Sequence, residues 1–569
     1  MPLLAGRANF IECEQADVIR RQIRHSRFGL ALLGLWAAAL VLALTGLGGV
    51  PLRDWDESLV ARVALELSQR PWGERLLPTL WGAPYLNKPP GLHWLIAGAI
   101  DLWRGWNRGA GQPLPPEAVV RLVPALIAAA LPPLLALVQQ RLRPERPGAA
   151  LASGAIALSL LPLARHGHLA MLDGSQLVAM ALLWLALLSA RPGGGGTTLA
   201  WGVVAGGATS GLLLLKAPVA PPVLAVALLL RALDRELDGP GWRVLGLGLG
   251  LGLLPGLGWH GYHLLARGEA ALHMWGNQGM ARLTSSLERH QGGAGPPLIQ
   301  VLSGGWPWLP LWPAGLAALW RRRQRRDGRW SLGLTLLASA LVLPLQTQLP
   351  WYSLLLWPPF ALVCGPVLAQ LVAGRLAPGL TRAVSSLWQG LGALLLLLVL
   401  LSQLPGLPQT LRESAPLALP AAAGLLLGGR LLGPPMGAGT WRRRGALLLL
   451  VGWCGSLLLL FAGPQWNWEL NEQAPVAPLI PLVRPGPGQP LPLLVADAMG
   501  DRPSLAWYAA RLPQPWPLRP GRQPAAVFEL LIPTGASASA LDAARRCAPM
   551  GRAPAAGWDL WRCRTAGPR

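Results

Sequence analysis

The sequence predicts an all-α polytopic membrane protein with a small C-terminal α/β domain outside the bilayer, on three observations. Of its 569 residues, 52% are hydrophobic and only 13% charged, about half the charge of an ordinary soluble chain. Apolar stretches close to the roughly 20 residues that a spanning helix needs recur along it, as in FGLALLGLWAAALVLALTGLGGV (28–50) and GALLLLLVLLSQL (392–404). The basic residues sit in short blocks at the ends of those stretches, a signature of membrane topology.

Taken in order, residues 1–27 are polar and end in RRQIRHSR, followed by an apolar core too long for a signal peptide. They read as a cytoplasmic N-terminus before an uncleaved first span. Thirteen apolar segments follow the pattern of crossings: 28–50, 118–140, 148–166, 174–190, 197–215, 217–231, 242–265, 298–319, 330–348, 351–373, 384–405, 415–432 and 444–463. GLHWLIAGAIDLW (91–103) is shorter and contains Asp101. If it lies in the interface, RLRPERPG, RALDREL, RRRQRRDGR and WRRRG all fall on the cytoplasmic side; if it crosses, RRRQRRDGR (321–329) and WRRRG (441–445) move outside, against the positive-inside rule. The interfacial reading is preferred. The span domain then covers 28–463 with a first outer loop at 51–117, and 464–569 lies outside. In that last segment LPLLVADA and AAVFELLIP read as strands, and DRPSLAWYAARL and SASALDAARRC as helices.

A net charge of +23 raises nucleic acid as a partner, but the basic blocks follow no groove and are not interleaved with aromatics, so no nucleic acid is expected. Cysteines at 13, 364, 454, 547 and 563 have neither metal-ligand spacing nor a CxxC pattern. Cys547 and Cys563 form either a disulfide on the oxidising side or two free thiols.

The candidate chemistry lies in the outer loops. RDWDES (53–58) puts three acids beside the first span of an acid-poor chain; it is either a solvated loop in which Asp54 pairs with Arg53, or a site. In WGAPYLNKPPGLHW (81–94) two prolines stiffen the chain after Lys88, and a fixed cation suits a phosphate. Asp173, in HGHLAMLDGSQL (166–177), is a helix N-cap, a site acid or both. His166 and His168 in the same stretch point in different directions on a helix, and no metal is expected there. The polar loop 267–297 carries Arg282 and Arg289 outward, and LQTQLPWYSLLLWPP (345–359) sets Trp351 and Tyr352 at an interface.

Together these features resemble the GT-C superfamily of polyprenyl-phosphate-dependent glycosyltransferases. The similar group is family 39, with bacterial lipid A aminoarabinose transferases and, more distantly, protein O-mannosyltransferases. The motifs that carry the resemblance are the Asp56-Glu57 pair after the first span, PYLNKPP (84–90), LD (172–173), KAP (216–218), N-x-x-x-x-R-L-T (277–284) and LPWY (349–352). The resemblance implies a GT-C fold and transfer of a sugar from a polyprenyl-phosphate donor to an extracytoplasmic lipid, glycan or protein. It implies Asp56, Glu57 and Asp173 as catalytic acids, and Lys88, Tyr85, Arg282 and Tyr352 as substrate-binding groups.

The chain departs from the pattern at Asn87, where relatives have an acid, and at Gln348, where they often have Lys; RLT and KAP replace RFT and KGP. Loss of the acid at 87 removes any metal contact it would make. No cofactor or metal is expected, a single displacement would invert the anomeric carbon, and the home is the inner (plasma) membrane among membrane lipids. The alternatives left open are a transporter or flippase of an amphipathic substrate, and a catalytically silent relative.

Overall fold

The computed structural model describes residues 26–107, 114–286, 292–434, 439–466, 468, 476–485, 490–496, 502–516, 525–534, 545–554 and 557–565. The first half of the bundle comprises α1 (Ser26–Leu44), α4 (Glu117–Ala128) running into α5 (Leu131–Leu142), α6 (Pro147–Ser159), α7 (Leu161–His168), α8 (Leu172–Ser189), α9 (Gly196–Lys216), α10 (Ala220–Leu233) and α11 (Gly239–Arg267). Between α1 and α4 lie α2 (Asp56–Gln69), the ribbon β1 (Thr79–Leu80) and β2 (Ala83–Pro84), and α3 (Gly91–Trp106). Further helices at Trp357–Val372, Pro378–Ser402, Leu419–Leu432 and Gly439–Ala462 complete the bundle with the shorter pieces Gly295–Gly304, Trp312–Arg321 and Arg326–Val342.

Among the described residues nine helical stretches are long and apolar enough to cross a membrane, or ten if the bent pair α6–α7 is one span. The difference from thirteen has local causes. The segments 298–319 and 330–348 are built from helices of 10, 10 and 17 residues, and α6–α7 is bent by 60°. That bend falls at Leu160, extended at φ −74°, ψ 114°, just before Pro162, whose ring lacks the N–H that would continue the helix. The run 196–233 is a hairpin. Arg231 near the end of α10 donates to the carbonyl of Ala190, just before α9 begins (3.0 Å), so the chain turns back at Lys216–Val219.

The basic blocks meet at one end of the bundle, where few carboxylates hold many arginines. Asp234, with no exposed side-chain surface, accepts from Arg329 (2.6 Å) and Trp330 (2.8 Å) and lies 3.2 Å from Arg326. Asp327 receives Arg143 (2.6 Å) and Arg322 (2.8 Å). Small residues set the close packing of α9 on α11. A Cβ on Gly206 would lie 2.2 Å from the Leu249 carbonyl oxygen and 2.8 Å from the Gly252 Cα, so only glycine permits that backbone approach.

At the opposite end, α3 packs Leu92, Ile96 and Ile100 in one apolar cluster with Val60, Ala61 and Ala64 of α2, while Leu95, Leu102 and Trp106 are 50%, 78% and 92% exposed. α3 has 16 residues, fewer than the roughly 20 that a crossing helix needs.

The C-terminal unit is a mixed sheet of β3 (Leu493–Ala496), β4 (Gln514–Trp516), β5 (Val527–Pro533), β6 (Arg545–Ala553) and β7 (Trp558–Thr565) in the order β4-β3-β5-β7-β6. β3 runs parallel to β4 and β5, and β7 antiparallel to β5 and β6. The helix within DRPSLAWYAARL spans Pro503–Tyr508. The end of SASALDAARRC is strand rather than helix, because residues 545–547 pair with β7; residues 535–544 lie outside the described residues. Cys547 and Cys563 are cross-strand partners and are disulfide-bonded.

This unit grips the segment between α1 and α4. Asp54 accepts from Arg502 (3.0 Å) and from the Ser504 backbone N–H (2.9 Å), which corrects the expected pairing with Arg53; Arg53 instead donates to the Trp466 carbonyl (2.8 Å). Tyr508 accepts from the Leu52 N–H (2.8 Å) and donates to Glu117 (2.9 Å). Burial, with Glu117 beside it, pushes the Tyr508 phenol well above its ordinary range, so it remains a donor. Because the Asp54 side chain has no exposed surface, Asp54→Ala is expected to cost about 3 kcal/mol by removing the acceptor of Arg502 and of the Ser504 N–H. Thermal melts in detergent check this: the double variant with Arg502→Ala should lose less than the sum of the two single losses.

Candidate active site

RDWDES is held by what it buries. Glu57 is fully buried and accepts four hydrogen bonds: from Arg121 Nε (2.6 Å) and Nη2 (2.8 Å), from the Arg53 N–H (2.7 Å) and from the Ala170 N–H (2.8 Å). Burial alone would raise its carboxyl; Arg121 and the two backbone donors outweigh that and hold it below the ordinary range. Arg121 also donates to the carbonyls of Leu47, Val50 and Pro51. Glu57, expected among the catalytic acids, has each of its two oxygens taken by two protein donors. It is a positioning residue that ties the loop after α1 to α4 and to the chain just before α8.

Trp55 takes φ 56°, ψ −69°, a conformation that a bulky L-residue adopts only under constraint. The buried anchors on both sides, Asp54 and Glu57, supply that constraint and fix where α2 starts. Asp56 is its first residue; the Asp56 side chain lies outside what the structure describes.

The KPP segment is set by Gly91 as well as its prolines. A Cβ on Gly91 would lie 2.7 Å from the Leu214 carbonyl oxygen, so glycine lets Asn87–Pro90 approach the end of α9. Asn87 is hydrogen-bonded to His273 Nε2 (3.1 Å), which joins this segment to the 268–284 loop. Tyr85, expected to bind substrate, is buried with Val63, Leu67 and Ala97 and stands edge-on to His93 (5.7 Å). It does not line the cavity described next.

Lys88, Asp173, Arg282 and Tyr352 do come together, around a cavity of about 650 Å³. Asp173 lies in the first turn of α8 without capping it; its carboxylate takes Lys216 at 2.6 Å. Arg282 donates to the Tyr352 hydroxyl (2.6 Å), and the Lys216 ammonium lies 5.2 Å from the centroid of the same ring. The Arg282 carbonyl accepts from the N–H groups of Gln346 (2.9 Å) and Thr347 (3.2 Å), which fixes the loop to the LPWY turn. The remaining wall is mostly apolar, including Leu177, Val219, Leu341, Leu345 and Leu354. Three cations at one apolar cavity describe a place for an amphipathic anion.

Lys216 is the residue that sequence reasoning quoted within KAP without giving it a role. Its signal is its isolation in LLLLKAPVAPPVL (212–224), since a lone cation between apolar runs needs a partner. Gln348 lies away from the cavity and donates to the Val342 carbonyl (2.6 Å). His168 bridges the carbonyls of Ala164 (2.8 Å) and Thr45 (3.2 Å) and stacks on Phe461, a structural task. Arg289 lies outside the described residues. Among the described residues no three His, Cys, Asp or Glu side chains form a metal-binding group.

With a lowered folded pKa, Glu57 contributes stability that is complete above its unfolded value of about 4.3 and is lost as pH falls through the folded value. Glu57→Gln is therefore expected to lower the melting temperature at pH 7 and to flatten its acid dependence below about pH 4. Melts across pH check both.

The chain matches no protein-family model and no curated protein sequence. Its structure is similar to two crystal structures of ArnT from Cupriavidus metallidurans, one bound to undecaprenyl phosphate and one in the apo state. Both are 18% identical to it and have TM-scores of 0.67 and 0.68. Each alignment covers 96% of this chain and 99% or 100% of ArnT. A likeness of that extent at that identity establishes the fold, and this chain has the GT-C fold over nearly its whole length.

Proposed function

We propose that the protein is a membrane glycosyltransferase that moves a sugar from a polyprenyl-phosphate carrier to an extracytoplasmic acceptor, with inversion at the anomeric carbon. The observation that carries the reading is the cavity in which Lys88, Lys216 and Arg282 stand over an apolar wall. A polyprenyl-phosphate sugar has this polarity, with an apolar chain, one anionic phosphodiester and a sugar. ArnT, whose fold this is, was crystallised with undecaprenyl phosphate, which supports the same ligand class here.

In the reaction the acceptor oxygen bonds to the anomeric carbon while the bond from that carbon to the phosphate oxygen breaks. The electron pair leaves with the lipid phosphate. Its charge grows in the transition state, so cations already in place stabilise the transition state more than the bound donor. Lys88 and Arg282 meet the phosphate, Lys216 adds the third charge, and Tyr352, oriented by Arg282, stands beside it. Asp173 holds Lys216. Asp56 is the base that takes the proton of a hydroxyl acceptor; if the acceptor is a phosphate, no proton moves and Asp56 orients it. The three cations supply the counter-charge that a divalent metal would otherwise bring.

The arginine-rich end is read as cytoplasmic, which puts the cavity and the C-terminal sheet outside. A transporter would instead concentrate polar groups near the bilayer midplane.

Purified protein in vesicles, given a radiolabelled polyprenyl-phosphate sugar and envelope lipid acceptors, tests the reading. Transfer should fall at least about 1,000-fold in Asp56→Asn with lipid-phosphate binding retained, and about 100-fold in Arg282→Ala or Lys216→Ala. It should persist in a chelator. Wild-type rates in Asp56→Asn would remove that residue from the mechanism.

A further inference from the structure

The turn that carries Asp56 depends on a part of the chain that the mechanism does not use. Trp55 holds a backbone conformation, φ 56°, ψ −69°, that a bulky residue keeps only where its surroundings impose it. Its own side chain is 45% exposed, so the constraint comes from its neighbours. Downstream, Glu57 is fixed by Arg121 and the Ala170 N–H. Upstream, two of the holds come from residues 502–508: Asp54 accepts from Arg502 and from the Ser504 N–H, and the Leu52 N–H donates to the Tyr508 hydroxyl.

Tyr508 closes this arrangement. It is 2% exposed, and its hydroxyl also donates to Glu117 (2.9 Å), one helical turn before Arg121 on α4. Contacts thus run from Leu52 through Tyr508 and Glu117 to Arg121 and Glu57, and the chain between Leu52 and Glu57 carries Trp55 and Asp56. A phenylalanine at 508 would leave the buried Leu52 N–H without its acceptor. The packing has the same sense: Leu52, Val60 and Ala61 share one buried cluster with Tyr508 and with Leu493, Val495 and Leu560 of the sheet, so α2 and the C-terminal unit have a common core.

We propose that Tyr508 is a positioning residue for Asp56: by holding Leu52 to α4 it keeps the strained turn at Trp55 closed, which makes the C-terminal unit part of the catalytic assembly. The proposal rests on the reading of Asp56 as acting in sugar transfer, and names what fixes its place. Tyr508 does not line the cavity, so loosening it affects the reacting geometry and leaves the hold on a lipid phosphate intact. A small misplacement of a reacting group costs rate far more than binding.

The test uses the full-length protein in vesicles with envelope lipid acceptors. The probes are radiolabelled undecaprenyl-phosphate glucose, mannose, galactose and aminoarabinose, and the donor that wild type transfers is carried through. Tyr508→Phe should lower kcat about tenfold or more, with KM for the donor and the Kd of undecaprenyl phosphate within about twofold of wild type. In the Asp56→Asn background the same change should cost less than about twofold, because the group it positions is gone. If Tyr508→Phe no longer binds undecaprenyl phosphate, Glu117→Gln, which weakens the acceptor of the hydroxyl and leaves the ring in place, is read by the same measures. A wild-type kcat, a raised KM at unchanged kcat, or an equal further loss on top of Asp56→Asn would each overturn the proposal. Wild-type transfer by Asp56→Asn, or no transfer by wild type from any of the four donors, would instead bring down the underlying reading, and this proposal with it.

Discussion

Glu57 and Arg121 form an ion pair in which neither side chain has exposed surface, and the half of the molecule that holds the cavity is arranged around it. Arg121 reaches three carbonyls of the chain leaving α1, and Glu57 takes the N–H of Ala170. One pair thus joins the segment after α1, α4 and the approach to α8. Breaking such a pair leaves a buried charge and costs about 3–5 kcal/mol, whereas the intact pair contributes little net stability. Its value here is in register: Asp56 follows one side of it and Asp173 the other.

From that anchor the second requirement is to keep cations at the edge of a bilayer. Charge in an apolar setting is tolerated only when it is paired or waits for a counter-ion. Asp173 holds Lys216, Tyr352 accepts from Arg282, and both pairs border a cavity that is otherwise largely apolar. The glycines at 91 and 206 serve the same end by letting backbone approach backbone where a Cβ would not fit. The C-terminal unit adds a clamp through Arg502, Ser504 and Tyr508.

Much of this was legible in the sequence, for identifiable reasons. Apolar length marks most of the long apolar helices, nine or ten among the described residues against thirteen expected, because it is a property of local composition. Lys88, Asp173, Arg282 and Tyr352 stand out in the sequence as isolated polar groups beside apolar runs, and the structure brings them to one cavity. The partner of Glu57 is not legible, because an acid next to Asp56 looks the same whether it faces a cavity or an arginine 64 positions away. Asp54 was given the wrong partner for the same reason, since Arg502 lies 448 positions from it. Tyr85 shares a motif with Lys88, yet its ring turns into the packing between α2 and α3, which spacing alone does not reveal. Residues 545–547 read as the end of a helix because strand pairing is decided across the sheet, by a partner such as Cys563.

The central claim is that the three cations of the outer cavity receive the phosphate of a lipid carrier. An experimental structure of the protein in lipid, with undecaprenyl phosphate added, tests it most directly through the position of the phosphorus density. The account predicts a phosphate whose oxygens lie about 3 Å from the Lys88 and Arg282 nitrogens, with the isoprenoid chain along the wall of Leu341, Leu345 and Leu354. Density for the phosphate midway through the bundle, or at its arginine-rich end, would contradict the account.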